Sequence, residues 1–262
     1  MGKTLHSLCR EYLKEKNFLE IETDDLAKFV FHNKFDKSEV IFFISKFSKL
    51  EIYSFTDYLY FLRKVLCLVI IAEDQKEVFE SICWDDLIKK MNKTTNFDQI
   101  QIVQALKYLI FYLLKKDFSI TDPLQLPHLG LVVSKGYYYP WSQLPNLQLN
   151  CELCSLWAII GILTKNKQFI NSSENLADWL YHLLDKDGFP MIGAWSQESS
   201  FNNMEILVSY YMMSFTIGSC VDSHYKDISE KILVHIQEMI MEQRVFVSSF
   251  SIFLTKKIDE IS

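Results

Sequence analysis

Apolar residues recur three and four positions apart along most of this chain, the spacing that gathers them on one face of a helix. The clearest stretch is Phe97 to Lys116, where Ile102, Val103, Leu106, Leu109, Ile110, Leu113 and Leu114 share a side. Before it, Thr4 to Asn17 aligns Leu5, Leu8, Cys9, Tyr12 and Leu13, and Thr23-Asp24-Asp25 precedes Leu26, Phe29 and Val30. Asp36 to Glu39 and Asp74 to Glu77 have capping-box spacing. The first leads into Val40, Phe43, Ile44 and Phe47, the second into Val78, Phe79 and Ile82. Between them Ser54 or Thr56 starts a helix striped by Leu59, Leu62, Leu66, Val69 and Ile70. Further helices are expected at Cys151 to Leu163, Glu174 to Asp185, Met204 to Cys220 and about Tyr225 to Gln243. Val245 to Leu254 alternates well enough for a strand and is read as helix because its neighbours are helices. The expectation is an all-α protein of about ten or eleven helices. Short connections would make sequence neighbours pack as antiparallel hairpins, in a bundle, an open solenoid or a partial ring.

The pattern breaks once. After Gly2 no glycine or proline occurs until Pro123, and Pro123, Pro127, Gly130, Gly136 and Pro140 then forbid a long helix across about 119–149. Leu129 to Val133 is extended in pattern, and Tyr137-Tyr138-Tyr139-Pro140-Trp141 is too aromatic for a disordered linker. The chain thus divides into an N-terminal helical part (1–118), a connecting segment (119–149) and a C-terminal helical part (150–262), read as one continuous domain. Irregular segments of this length in compact proteins tend to carry function. Four of the five tryptophans, Trp141, Trp157, Trp179 and Trp195, lie in nearly the same window as the prolines and most of the glycines, about 123–193. Any ligand-facing geometry is therefore expected between about 120 and 205.

Composition narrows the picture. Of 262 residues, 49% are apolar and 23% charged, which excludes a disordered chain. The net charge is −6, and no basic block interleaves with aromatics, so nucleic acid is not an expected partner. The longest uncharged run, Ile206 to Val221, is too short and too polar for a membrane span and reads as a buried helix. Lys3 leads into charged helical sequence and not a signal peptide, so the six cysteines are expected as reduced thiols in the cytoplasm.

Most motifs dissolve on inspection. Cys151-Glu152-Leu153-Cys154 is a CxxC without a second pair or a set of histidines, so it reads as two core or rim thiols. Asp185-Lys186-Asp187-Gly188 begins like a calcium loop, but Pro190 and Ser196 stand where Gly and Glu are required. Asp187-Gly188 is simpler as a helix end with glycine in the left-handed conformation. The histidines form no HExxH pair, and no nucleophile elbow exists. No metal and no cofactor is expected.

One constellation stands out. Tyr138, Trp141 and Trp195 lie in loop-like sequence, while Glu152, Glu198 and Glu205 lie at or near helix starts. Aromatic faces stack on sugar rings, and two carboxylates can share acid and base roles at a glycosidic bond. The simpler reading, which the sequence favours, is that carboxylates at helix N-termini are favourable charges and the tryptophans pin a loop to the helices.

The stretch from Leu176 to Pro190, with Asp178-Trp179-Leu180-Tyr181-His182 running into Asp185-Lys186-Asp187-Gly188-Phe189-Pro190, resembles the helix and following Asp-Gly turn of α/α-toroid proteins. The likeness covers about 150–210. Those families include sugar-active lyases and hydrolases and terpene-cyclase-like folds. The resemblance implies helical hairpins in a ring with ligands in the central funnel, where Trp141, Glu152, Trp195 and Glu198 would stand. A full six-hairpin ring needs more chain, so a partial ring or open solenoid is the implied form.

Two functions compete. The first is a non-enzymatic soluble helical interaction or scaffold protein, binding a protein partner through an aromatic-rich face near 137–200. The alternative is a toroid-like carbohydrate-active enzyme or small-molecule binder using paired carboxylates. The sequence leans to the first, because no nucleophile, metal set or cofactor motif rises above chance.

Overall fold

The computed structural model describes residues 4–5, 7–8, 38, 45, 49–74, 80, 82–98, 100–116, 131–132, 138–139, 146–191, 203–241 and 249–261. Over these the protein is all-α, with eight helices: α1 (Phe55–Asp74), α2 (Trp84–Lys93), α3 (Gln101–Leu113), α4 (Leu147–Thr164), α5 (Lys167–Tyr181), α6 (Asn203–Cys220), α7 (His224–Met241) and α8 (Ser249–Ile261). Between α3 and α4, β1 (Leu131–Val132) pairs antiparallel with β2 (Tyr138–Tyr139), a ladder too short to form a sheet of its own.

Local chemistry sets the helix starts. Ser54 and Asp57 cap α1 reciprocally: Ser54 Oγ accepts the Asp57 N–H at 3.1 Å and Asp57 Oδ2 accepts the Ser54 N–H at 2.9 Å. Asn146 caps α4 by accepting the Leu149 N–H at 2.8 Å, so this helix begins four residues before the apolar stripe at Cys151 suggests. Asn166 caps α5 through the Gln168 N–H at 2.9 Å. That helix accordingly occupies Lys167–Tyr181 and not Glu174 to Asp185. α2 has no counterpart in the sequence reading, although Trp84, Leu87 and Met91 fall on one buried stripe with Asp85 and Asp86 in its first turn and Lys90 and Lys93 in its last. Ile82, expected on a helical stripe, is buried in the bend before α2. The segment starting at Val245 is helical wherever it is described, from Ser249 on.

The helices close a cycle of neighbours. α1 packs on α3 and α8, α3 on α4, α4 on α6, and α6 on α8. α5 lies on α4, and α7 on α6. The members of the cycle are buried on nearly every face over long stretches, from Lys64 to Ala72 in α1, Leu149 to Gly161 in α4 and Ile206 to Ser214 in α6. α5 and α7, outside it, bury a single stripe each. α4 is long and apolar enough to cross a membrane, yet 78% of it is packed inside the protein. Near the chain start, Leu5 and Leu8 are buried, and the Leu5 N–H donates to Tyr211 Oη on α6 at 3.0 Å.

Two glycines permit the tightest turns. A Cβ on Gly161, near the end of α4, would stand 3.0 Å from the Ile170 backbone nitrogen. One on Gly218, near the end of α6, would stand 2.7 Å from the Lys226 nitrogen. These approaches let α5 and α7 start directly against the helices they follow.

Candidate functional site

Three helices bring four side chains together. On the first and second turns of α4, Gln148 and Glu152 are four residues apart and share a face. Arg63 from the middle of α1 donates through Nε and Nη2 to Glu152 Oε2, at 3.0 and 2.6 Å. Gln148 Nε2 donates to the other oxygen at 3.2 Å. The Phe250 ring, on the first turn of α8, lies 5.7 Å from the guanidinium carbon of Arg63. Only 3% of the Glu152 side chain and 22% of the Arg63 side chain meet solvent. The cluster joins α1 and α4, which are not principal neighbours in the cycle. Both carboxylate oxygens are engaged within the protein.

The other expected site residues do not gather around it. Tyr138 lies in β2, paired through its backbone with Val132. Trp141, Trp195 and Glu198 lie outside the described residues. Glu205 is half-buried in the first turn of α6, a favourable place for a negative charge. Helix direction separates it from Glu152. The end of α5 meets the start of α7: Tyr225 Oη donates to Asp178, and the Tyr181 and His224 rings are 5.9 Å apart. α4 and α6 therefore run in opposite directions, and Glu152 and Glu205 sit near opposite ends of helices about 27 Å long.

The two cysteines of the CxxC are both fully buried. Cys154 Sγ lies 3.2 Å from the Ser173 carbonyl as donor, and burial, followed by the Asp178 charge, pushes its thiol far above the ordinary range. Burial pushes Cys220 up to about 11. Such thiols are poor nucleophiles and poor metal ligands. Among the described residues no group of three or more His, Cys, Asp or Glu is placed to hold a metal ion.

Two exposed apolar side chains lie after α5. Residues 183–191 fold back as a hairpin, with a bridge between Leu184 and Pro190 and Met191 N–H donating to the Leu183 carbonyl at 2.8 Å. Asp185 Oδ1 accepts the N–H groups of Asp187 and Phe189, each at 2.9 Å. The bond from Phe189, followed by weaker effects, holds the Asp185 carboxyl below the usual carboxylate range. Gly188 is left-handed, φ +88°, as the sequence suggests, but within this hairpin and seven residues beyond the end of α5. The hairpin lies along α7. His235 Nε2, facing a carbonyl and so carrying the proton, donates to Asp187 O at 2.8 Å, and its ring is 3.9 Å from that of Phe189. Phe189 and Met191, two residues apart on one strand, remain 40% and 45% exposed.

Arg63 and His235 are the residues sequence reasoning missed. Arg63-Lys64 interrupts an otherwise apolar run from Leu59 to Ala72, and a charge inside a buried stripe is a signal for a partner. The role of His235 carries no local signal, because its contacts with the hairpin come from residues 46–48 positions earlier. The chain matches no protein-family model, no curated protein and no solved structure.

Proposed function

We propose that this is a non-enzymatic helical interaction protein of the cytoplasm, which engages a protein partner through the apolar face of the 183–191 hairpin and its surroundings. The observation that carries the reading is the contrast in how side chains are employed. Arg63, Glu152, Gln148 and the CxxC thiols are engaged inside the helix assembly, whereas Phe189 and Met191 face solvent on a hairpin held rigid by Asp185 and His235. Exposed aromatic and methionine side chains on a rigid support are what a partner buries as anchors.

The experiment is capture with purified wild-type chain and with a Phe189→Ser/Met191→Ser double variant of equal melting temperature. A partner held by the first and lost by the second supports the reading. Equal capture by both would remove this face from it.

A second reading, a binder or enzyme acting on carbohydrate or another small molecule, draws on the cycle α1–α3–α4–α6–α8 and the polar cluster inside it. The cycle is consistent with a partial toroid. The opposed directions of α4 and α6 depart from the parallel inner helices that a regular ring of hairpins would have. Under this reading an oligosaccharide at about a hundred times its dissociation constant adds roughly 2.7 kcal/mol, a shift of roughly 5–10 °C.

A further inference from the structure

The α4–α5 and α6–α7 pairs coincide when the numbering is moved by 56. α4 begins at 147 and ends at 164, and α6 begins at 203 and ends at 220. The buried residues of α5, Phe169, Ser172, Ser173, Leu176, Ala177 and Leu180, fall on those of α7, Tyr225, Ile228, Ser229, Ile232, Leu233 and Ile236, each 56 further on. A stripe of this spacing is common to amphipathic helices, so its phase alone proves little. The turn chemistry is more specific. Asn166 Oδ1 accepts the Gln168 N–H and Asp222 Oδ1 accepts the His224 N–H, both at 2.9 Å. Asn166 N–H donates to Gly161 O and Asp222 N–H to Ile217 O, again both at 2.9 Å. Ser173 Oγ donates to Ile170 O and Ser229 Oγ to Lys226 O, both at 2.7 Å. Five kinds of feature thus keep one register across two stretches with almost no shared sequence.

We infer that residues 147–181 and 203–237 are two copies of one helix-pair unit, an internal duplication packed through α4 and α6 about a local two-fold axis. The opposed directions of α4 and α6 are what such an axis requires. In an isologous contact the same patch serves both sides. Here the chain supplies both copies, so the α4–α6 face is satisfied internally. The stretch 182–202 is then the linker between copies, and the 183–191 hairpin is an addition that the second copy's outer helix carries. One contact is not repeated: Asp178, which accepts from Tyr225, corresponds to Val234, 53% exposed.

The test is electron-spin distance measurement on the full chain, with nitroxides on cysteines placed at the exposed positions 168, 175, 224 and 231 and with Cys9, Cys83 and Cys220 replaced by serine. A two-fold requires the 168–231 and 175–224 distances to agree. It also requires the 168–224 distance to exceed 175–231, because same-position pairs approach each other toward the axis. Unequal cross distances, or same-position pairs all alike as in a parallel stack, would overturn the inference. The caps give a check that needs no labels. Asn166→Ala and Asp222→Ala should each lower the melting temperature by the same amount, roughly 2–4 °C. A loss confined to one of them counts against equivalent roles.

Discussion

The Arg63–Glu152 cluster and the 183–191 hairpin are both built on hydrogen-bonded carboxylates, and they put them to opposite uses. Glu152 is buried, and its oxygens are taken by side chains from α1 and from its own helix. Asp185 is exposed, and it organises the backbone of the loop that contains it. The first arrangement ties distant helices across an interior. The second shapes a surface and leaves Phe189 and Met191 facing out. A carboxylate in a sequence is therefore no guide to chemistry until its partners are known.

The comparison is broken most forcefully at Glu152. Glu152→Leu strands a largely buried guanidinium, at a cost of about 3–5 kcal/mol. At roughly 2–4 °C per kcal/mol the melting temperature falls by roughly 6–20 °C. Adding Arg63→Met restores most of the loss, since an apolar pair of similar volume is tolerated where a single charge is not. A double variant as unstable as the single one would mean that packing, not the ion pair, is at stake.

Gly218→Ala tests the turn that starts α7, on which the hairpin lies. Its Cβ meets backbone at 2.7 and 3.0 Å, which no side-chain rotation relieves. A loss of about 1–3 kcal/mol in urea unfolding is expected. Gly161→Ala should cost less, because its nearest neighbour is the Ile170 side chain.

Lys64, beside Arg63 on α1, sharpens the interior half of the comparison. Burial lowers its ammonium to about 8 from 10.5, while its Nζ stays 5.1 Å from the Tyr60 ring centre. Its folded value lies below its unfolded one, so between about 8 and 10.5 the unfolded chain holds a proton that the folded chain has released. Stability from this group therefore rises with pH across that window, by about 1–2 kcal/mol between neutral and pH 9.5. Lys64→Met should abolish the rise. Persistence of the full rise in that variant would assign it elsewhere.

The smallest effect belongs to the surface. The Asp185 carboxyl is held down, so its contribution is present above the ordinary value of 3.8 and is lost as pH falls through its lowered value. The amide resonances of Asp187 and Phe189 should titrate together with a midpoint below 3.8. A midpoint at or above 3.8 would mean that the hairpin bonds are not kept in solution.

Much of the helical frame was legible in the sequence, because periodicity and caps act within a few residues. α1, α3, α6 and α7 start and end near where their stripes predict. α5 was displaced toward its C-terminus because Asn166 caps through its own side chain, while the Asp-Gly turn belongs to the hairpin that follows. α2 was overlooked although its buried stripe and end charges are present. The candidate site was less legible. Glu152 could be singled out, but Arg63 is 89 residues away, and only folding across the helix cycle reveals the pairing. The duplication escaped for a related reason: it is conserved in hydrogen bonds and burial while side-chain identities differ almost throughout.

The most direct measurement is the melting temperature of Glu152→Leu beside that of the wild-type chain. A structural carboxylate predicts the loss of roughly 6–20 °C. A carboxylate kept for chemistry on a ligand is commonly a strained, destabilising feature, and its removal leaves stability unchanged or higher. An unchanged or raised melting temperature would therefore contradict the account and return Glu152 to the list of reactive groups.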